Sequence, residues 1–201
     1  MKKTLATVLA IAAGFAAVPA AAQTTGTVNV TGTVGGRCSV VAPGGTTEAS
    51  TFSGTIDLQR LDATDGTLRS TLTSSTAASP ADGLNVSTRI VCNSANPTVG
   101  VSATALNTGG AVDPGAGYSN DVNYVAQVRV NTASGGIKTV SYATATGGAA
   151  ATAQLGERIA GGSANNVSVS VHSLAAEAGA TSLLAEGRYA STVTVTINPT
   201  M

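Results

Sequence analysis

From Tyr189 to Ile197 every second residue is Tyr, Ser, Val, Val or Ile, and the residues between are Ala190, Thr192, Thr194 and Thr196. A period of two is the repeat of a β-strand with one face on a core and the other in water. The same period runs through Gly26 to Val34, where Val28, Val30, Gly32 and Val34 oppose Thr27, Asn29, Thr31 and Thr33. It returns in Leu84 to Cys92, in Val122 to Val130 and in Val167 to Val171. Shorter candidates are Cys38 to Val41, Phe52 to Leu58, Val99 to Ala105 and Ile137 to Tyr142. That makes about eight or nine strands. Turn formers separate them, among them Pro43-Gly44-Gly45, Asp82-Gly83 and Ser134-Gly135-Gly136. Asn, Asp and Gly supply the positive φ of tight reversals. Strands at this spacing, with no long 3.6-residue period, predict a single all-β antiparallel sandwich. Leu174 to Leu184 could hold one or two helical turns, and residues 60–80 and 144–153 are expected to be long loops.

Charge narrows the function. The chain has 201 residues, with 10 basic against 10 acidic, and 10% charged in all. A neutral chain cannot displace the counterions of a phosphate backbone, so nucleic acid is excluded as a partner. The abundance of β-branched residues at low net charge also opposes disorder. Lys2 and Lys3 precede an apolar run from Leu5 to Val18 that ends in Ala20-Ala21-Ala22. This is the pattern of a signal peptide over residues 1–22, cleaved after Ala22, and it is too short to span a bilayer. The mature chain is therefore expected to be exported. Two cysteines, Cys38 and Cys92, remain in it. An even number in an exported chain reads as one disulfide. A metal or redox pair is the alternative, without C-x-x-C spacing to support it.

Catalytic chemistry is hard to build. His172 is the sole histidine, so any Ser-His-Asp arrangement must use it, and a polar strand end is its simpler reading. No G-x-S-x-G, H-E-x-x-H or Walker loop is present. Asp57, Asp62 and Asp65 lack the spacing of a calcium loop. Three sequons, at Asn29, Asn85 and Asn166, match a common triplet and receive no role. Tyr118, Tyr124, Tyr142, Tyr189, Phe15 and Phe52 are all the aromatics, too few for a sugar-stacking platform. Neither an enzyme, a cofactor, a metal nor a small-molecule substrate is expected.

The two ends of the mature chain are more informative. An alternating strand just after the cleavage site can belong to its own sandwich, or be added to an open sheet edge of a neighbour. At the other end, Gly187-Arg188-Tyr189 leads into the alternating terminal strand. With the signal peptide, the early Cys38, Arg89-Ile90-Val91-Cys92 and Asn123-Tyr124, this order resembles the spore coat protein U family and the related archaic chaperone-usher pilins. The chain departs from many pilins in ending Asn198-Pro199-Thr200-Met201 rather than on a Tyr beside the terminus.

The resemblance implies an incomplete immunoglobulin-like sandwich that lacks its last strand. It divides the chain into the signal peptide, a donor-strand extension over 23–36 and a pilin-like domain over 37–201. Val28, Val30, Gly32 and Val34 would be the donor positions, Cys38 and Cys92 the disulfide, and Gly187, Tyr189, Val193, Val195 and Ile197 the chaperone-facing terminal strand. Implied partners are a periplasmic chaperone, an outer-membrane usher and further subunits, in a fibre or coat at the cell surface. The rival expectation is a monomeric secreted sandwich that binds a carbohydrate or a surface protein, with residues 26–34 in its own sheet.

Overall fold

A computed structural model describes residues 28–42, 44–76, 84–110 and 116–200. The chain divides into two compact units, one up to Val34 and one from Gly35 onward. In the first, residues 28–34 carry no strand, and Val28, Val30 and Val34 are 85%, 92% and 87% exposed. The strand expected there does not form within the chain: its apolar face has no partner among the described residues. Residues 1–27, which hold the expected signal peptide and the first residues of the donor segment, lie outside them.

The second unit is all-β and sandwich-like. Its strands are β1 (Cys38–Val41), β2 (Glu48–Ala49), β3 (Asn85–Cys92), β4 (Thr98–Ala103), β5 (Leu106–Asn107), β6 (Tyr118–Ser119), β7 (Asp121–Asn131), β8 (Ile137–Ala143), β9 (Ala151–Gln154), β10 (Val167–Ala176), β11 (Leu183–Leu184) and β12 (Val193–Asn198). The larger sheet runs β2-β1-β3-β10-β7-β5, with β8 also on β7. The smaller runs β12-β4-β9. Every pairing in both is antiparallel, and a parallel pair, β11 with β6, stands beside them.

The alternation in the sequence does its work along β7. Val122, Tyr124, Ala126, Val128 and Val130 are buried, while Asn123, Gln127 and Arg129 face outward. From the other sheet Val99 and Val101 of β4 are fully buried against the same cluster. Each such valine contributes about 1.5–3 kcal/mol of apolar burial. Gly100 lies between them because its neighbour is close: a Cβ there would stand 2.6 Å from Thr196 Oγ1 on β12.

Several expectations are corrected. Phe52 to Leu58 forms no strand: its backbone has no ladder partner among the described residues. Ala151–Gln154 forms β9, where a loop was expected, by pairing with β4. Leu174 to Leu184 holds no helix: β10 continues to Ala176, Gly179 turns at φ 120° and β11 follows. The terminal strand starts at Val193, so Gly187 and Tyr189 precede it.

Candidate functional site

Cys38 and Cys92 are bonded, and they occupy directly opposed positions on β1 and β3. This fixes β1 to β3, beside the short edge strand β2 of the larger sheet. Next to it opens a cavity of about 630 Å³. Its floor is apolar, with Val40 of β1, Ile90 of β3, Val169 and Val171 of β10 and Tyr124 of β7. Among the described residues no charged side chain lines it.

Two stretches line this cavity with consecutive rather than alternate residues: 50–56 and 191–195. A strand that exposes both its inward and its outward residues to a cavity is being met along its edge. The second stretch leads into β12, which is paired with β4 from Val193 to Asn198 along one edge. Its other edge has no strand among the described residues. Successive residues of an antiparallel strand point their backbone groups to opposite sides, so half of those in β12 face the cavity.

The first stretch is the segment 51–57, whose backbone N–H and C=O groups have no partner among the described residues. It is held by side chains instead. Phe52, Ile56 and Leu58 are half-buried against the core, with Ser53 and Thr55 exposed between them. Gly54 approaches β3 so closely that a Cβ would stand 2.5 Å from Val86 Cγ1. The cavity is therefore a slot with an apolar floor and two open backbone edges. An exposed edge of this kind invites pairing with another chain.

Of the residues singled out in the sequence, Val193, Val195 and Ile197 line the slot from β12. Gly187 and Tyr189 do not. Gly187 has φ 147°, and a Cβ there would be 3.1 Å from that of Thr108. The Tyr189 hydroxyl donates to the carbonyls of Ser119 at 2.9 Å and Ala185 at 3.1 Å, and burial pushes its pKa up. Val28, Val30, Gly32 and Val34 sit in the N-terminal unit with their side chains exposed or, at Gly32, in open space. At one end of the slot the Tyr124 hydroxyl meets Ser191 Oγ at 2.9 Å, and desolvation raises the Tyr124 pKa despite that bond.

The residues that sequence reasoning missed are those of the second wall. Its signal was present as the alternation of Phe52, Gly54, Ile56 and Leu58, read as an ordinary strand. The sequon at Asn166 is also resolved, since its buried side chain bonds Ile90 and Ala160 and has no room for a glycan. Among the described residues no group of acidic, His or Cys side chains could hold a metal, and no helix is long and apolar enough to cross a membrane. Comparison with family models, with curated proteins and with solved structures returned no match.

Proposed function

We propose that this chain is a structural subunit of an extracellular fibre or surface coat, assembled by donor-strand exchange through a chaperone-usher-type pathway. The observation that carries this reading is the slot: an uncharged, apolar-floored cavity of about 630 Å³ edged by β12 and by segment 51–57, both with backbone groups open to it. The same chain carries an uncharged segment in which Val28, Val30 and Val34 are exposed and which pairs with no strand among the described residues. Each copy thus has both a strand to give and a place to receive one.

The energetics favour a strand over a loose apolar ligand. Burying three valines yields about 5–9 kcal/mol at roughly 1.5–3 each. Ordering seven residues of backbone costs about 7–14 kcal/mol at roughly 1–2 each. Apolar burial alone therefore does not suffice. Ladder hydrogen bonds on both sides, at about 1 kcal/mol each, make the difference. Only an extended peptide can form them.

In this reading the sandwich is immunoglobulin-like and incomplete, and the exported chain meets its chaperone and usher through β12. The test is the size of the protein taken from the cell surface and run in SDS with and without heating. A ladder of multimers that collapses only on heating, and is lost when residues 24–34 are deleted, is expected. A single monomer band under both conditions would overturn the proposal.

A further inference from the structure

The outer face of the larger sheet, opposite the slot, holds a second cavity of about 450 Å³. Register builds it. Ser87, Ser168, Arg129 and Thr139 stand in one row across β3, β10, β7 and β8. The next row pairs Asn131 with Ile137, and the stretch 164–166 before β10 rises beside them as a wall.

The chemistry of the lining is unusual for this chain. Among the described residues Arg129 is the one charged residue that lines it, and no carboxylate does. Among the described residues the Arg129 side chain has neither a hydrogen-bond nor an ion-pair partner. Around it stand neutral hydroxyls and amides from Ser87, Ser168, Asn131 and Asn165, and Ile137, 52% exposed, adds an apolar patch. Arg129 is half-buried as a residue, and a guanidinium without a counter-ion is a site for an anion, its planar fork matching a carboxylate with two parallel hydrogen bonds. A phosphate dianion would call for a second cation, which this cavity lacks.

We propose that this cavity binds a carboxylate-bearing sugar. Arg129 takes the carboxylate, the serine and asparagine side chains take ring hydroxyls, and Ile137 lies under the apolar C–H face of the ring. The scarcity of aromatics then ceases to be an obstacle, because recognition runs through charge and hydroxyl pairing rather than ring stacking. The site is on the face away from the slot, so it stands independently of strand exchange.

The probe is a short oligogalacturonate, with its methyl ester as the neutral control and inorganic phosphate as the simple-anion control, each titrated into the isotopically labelled full-length chain. Amide shifts confined to residues around 87, 129–131 and 164–168 are expected with the oligogalacturonate. The methyl ester should bind at least tenfold more weakly, a control that leaves the protein unchanged. Arg129→Ala should weaken binding by a similar factor, and Arg129→Lys should restore part of it. Equal binding of the acid and its ester, equal binding of phosphate, undiminished binding by Arg129→Ala, or no shifts at this face would each overturn the proposal.

Discussion

Gly54 rests on Val86 so closely that the first carbon of any side chain at position 54 would overlap Val86 Cγ1 at 2.5 Å. Val86 belongs to β3 and is paired with Val169 of β10, so its backbone is held in the larger sheet. Segment 51–57 has no ladder to hold it, so it is the part that yields. Gly54→Val should therefore push this wall away from β3 and change the width of the slot more than the stability of the sandwich. Uptake of a synthetic peptide of residues 24–36 should fall at least tenfold, read by fluorescence anisotropy, with a shift in Tm of less than about 4 °C.

Substitutions in the N-terminal segment should separate by side. Val28→Asp or Val30→Asp places a charge where an apolar floor would receive it, and a buried unpaired carboxylate costs several kcal/mol. Multimer formation should be lost. Thr27→Asp or Asn29→Asp, on the opposite side, should leave it within about twofold. Equal tolerance of both sets, measured by the SDS ladder, would remove donor-strand exchange from consideration.

Reduction of the disulfide should be costly. Cys38 and Cys92 are 54 residues apart, and closing a loop of that length restricts the unfolded chain by about 4 kcal/mol. Cys38→Ser and Cys92→Ser should each lower the urea midpoint by an amount matching that loss, and dithiothreitol should have no additional effect on either variant.

These expectations rest on elements that differ in how far they could be read from the chain. β7 and β10 were visible because valine recurs at alternate positions against Asn, Gln, Arg and Ser, a contrast large enough to show which face is buried. β9 was not, since Ala and Thr in Ala151–Gln154 differ too little in polarity to mark a face. Segment 52–58 alternates as well as any strand, yet it has no ladder partner among the described residues. Periodicity reports which side chains turn to the core and is silent on whether the backbone has a partner. The slot depends on that second property at both its edges, so its terminal-strand half was legible and its other wall was not. The outer-face cavity was hidden for a different reason: Ser87, Ser168 and Arg129 meet only through strand register.

Asn166 stands in for a missing stretch of ladder at the start of β10. Its Oδ1 accepts from Ile90 N–H at 2.8 Å, and its Nδ2 donates to Ile90 O at 2.7 Å and to Ala160 O at 2.8 Å. Asn166→Ala would strand these groups at a buried position, at about 1–3 kcal/mol for each one left unpaired. Counting the two Ile90 groups, which are the fully buried ones, a loss of about 2–6 kcal/mol in urea unfolding is expected. Asn166→Asp keeps the acceptor and loses both donated bonds, so it should not rescue the loss.

Stability should also depend on His172. Its Nδ1 is 2.9 Å from Ser173 Oγ, its Nε2 is buried without a partner, and desolvation lowers its pKa below the ordinary value near 6.5. The unfolded chain therefore binds the proton more readily than the folded one. Stability is at its full value above the unfolded pKa, declines as pH falls through it, and stops declining below the folded pKa. Because His172 is the only histidine, urea midpoints measured from pH 8 to pH 5 should show this decline in the native chain, and a shallower one in His172→Gln.

Asn93, next to the disulfide, grips the chain where the N-terminal unit ends: its Nδ2 donates to Gly35 O at 2.8 Å and its Oδ1 accepts from Arg37 N–H at 2.6 Å. In a fibre, tension from the neighbouring subunit would enter each domain at this point. The Cys38–Cys92 bond passes it directly into β3, inside the larger sheet, so that β1 cannot be peeled away. Mechanical failure would then begin with the inserted strand sliding from its slot, and the domain would outlast the joint.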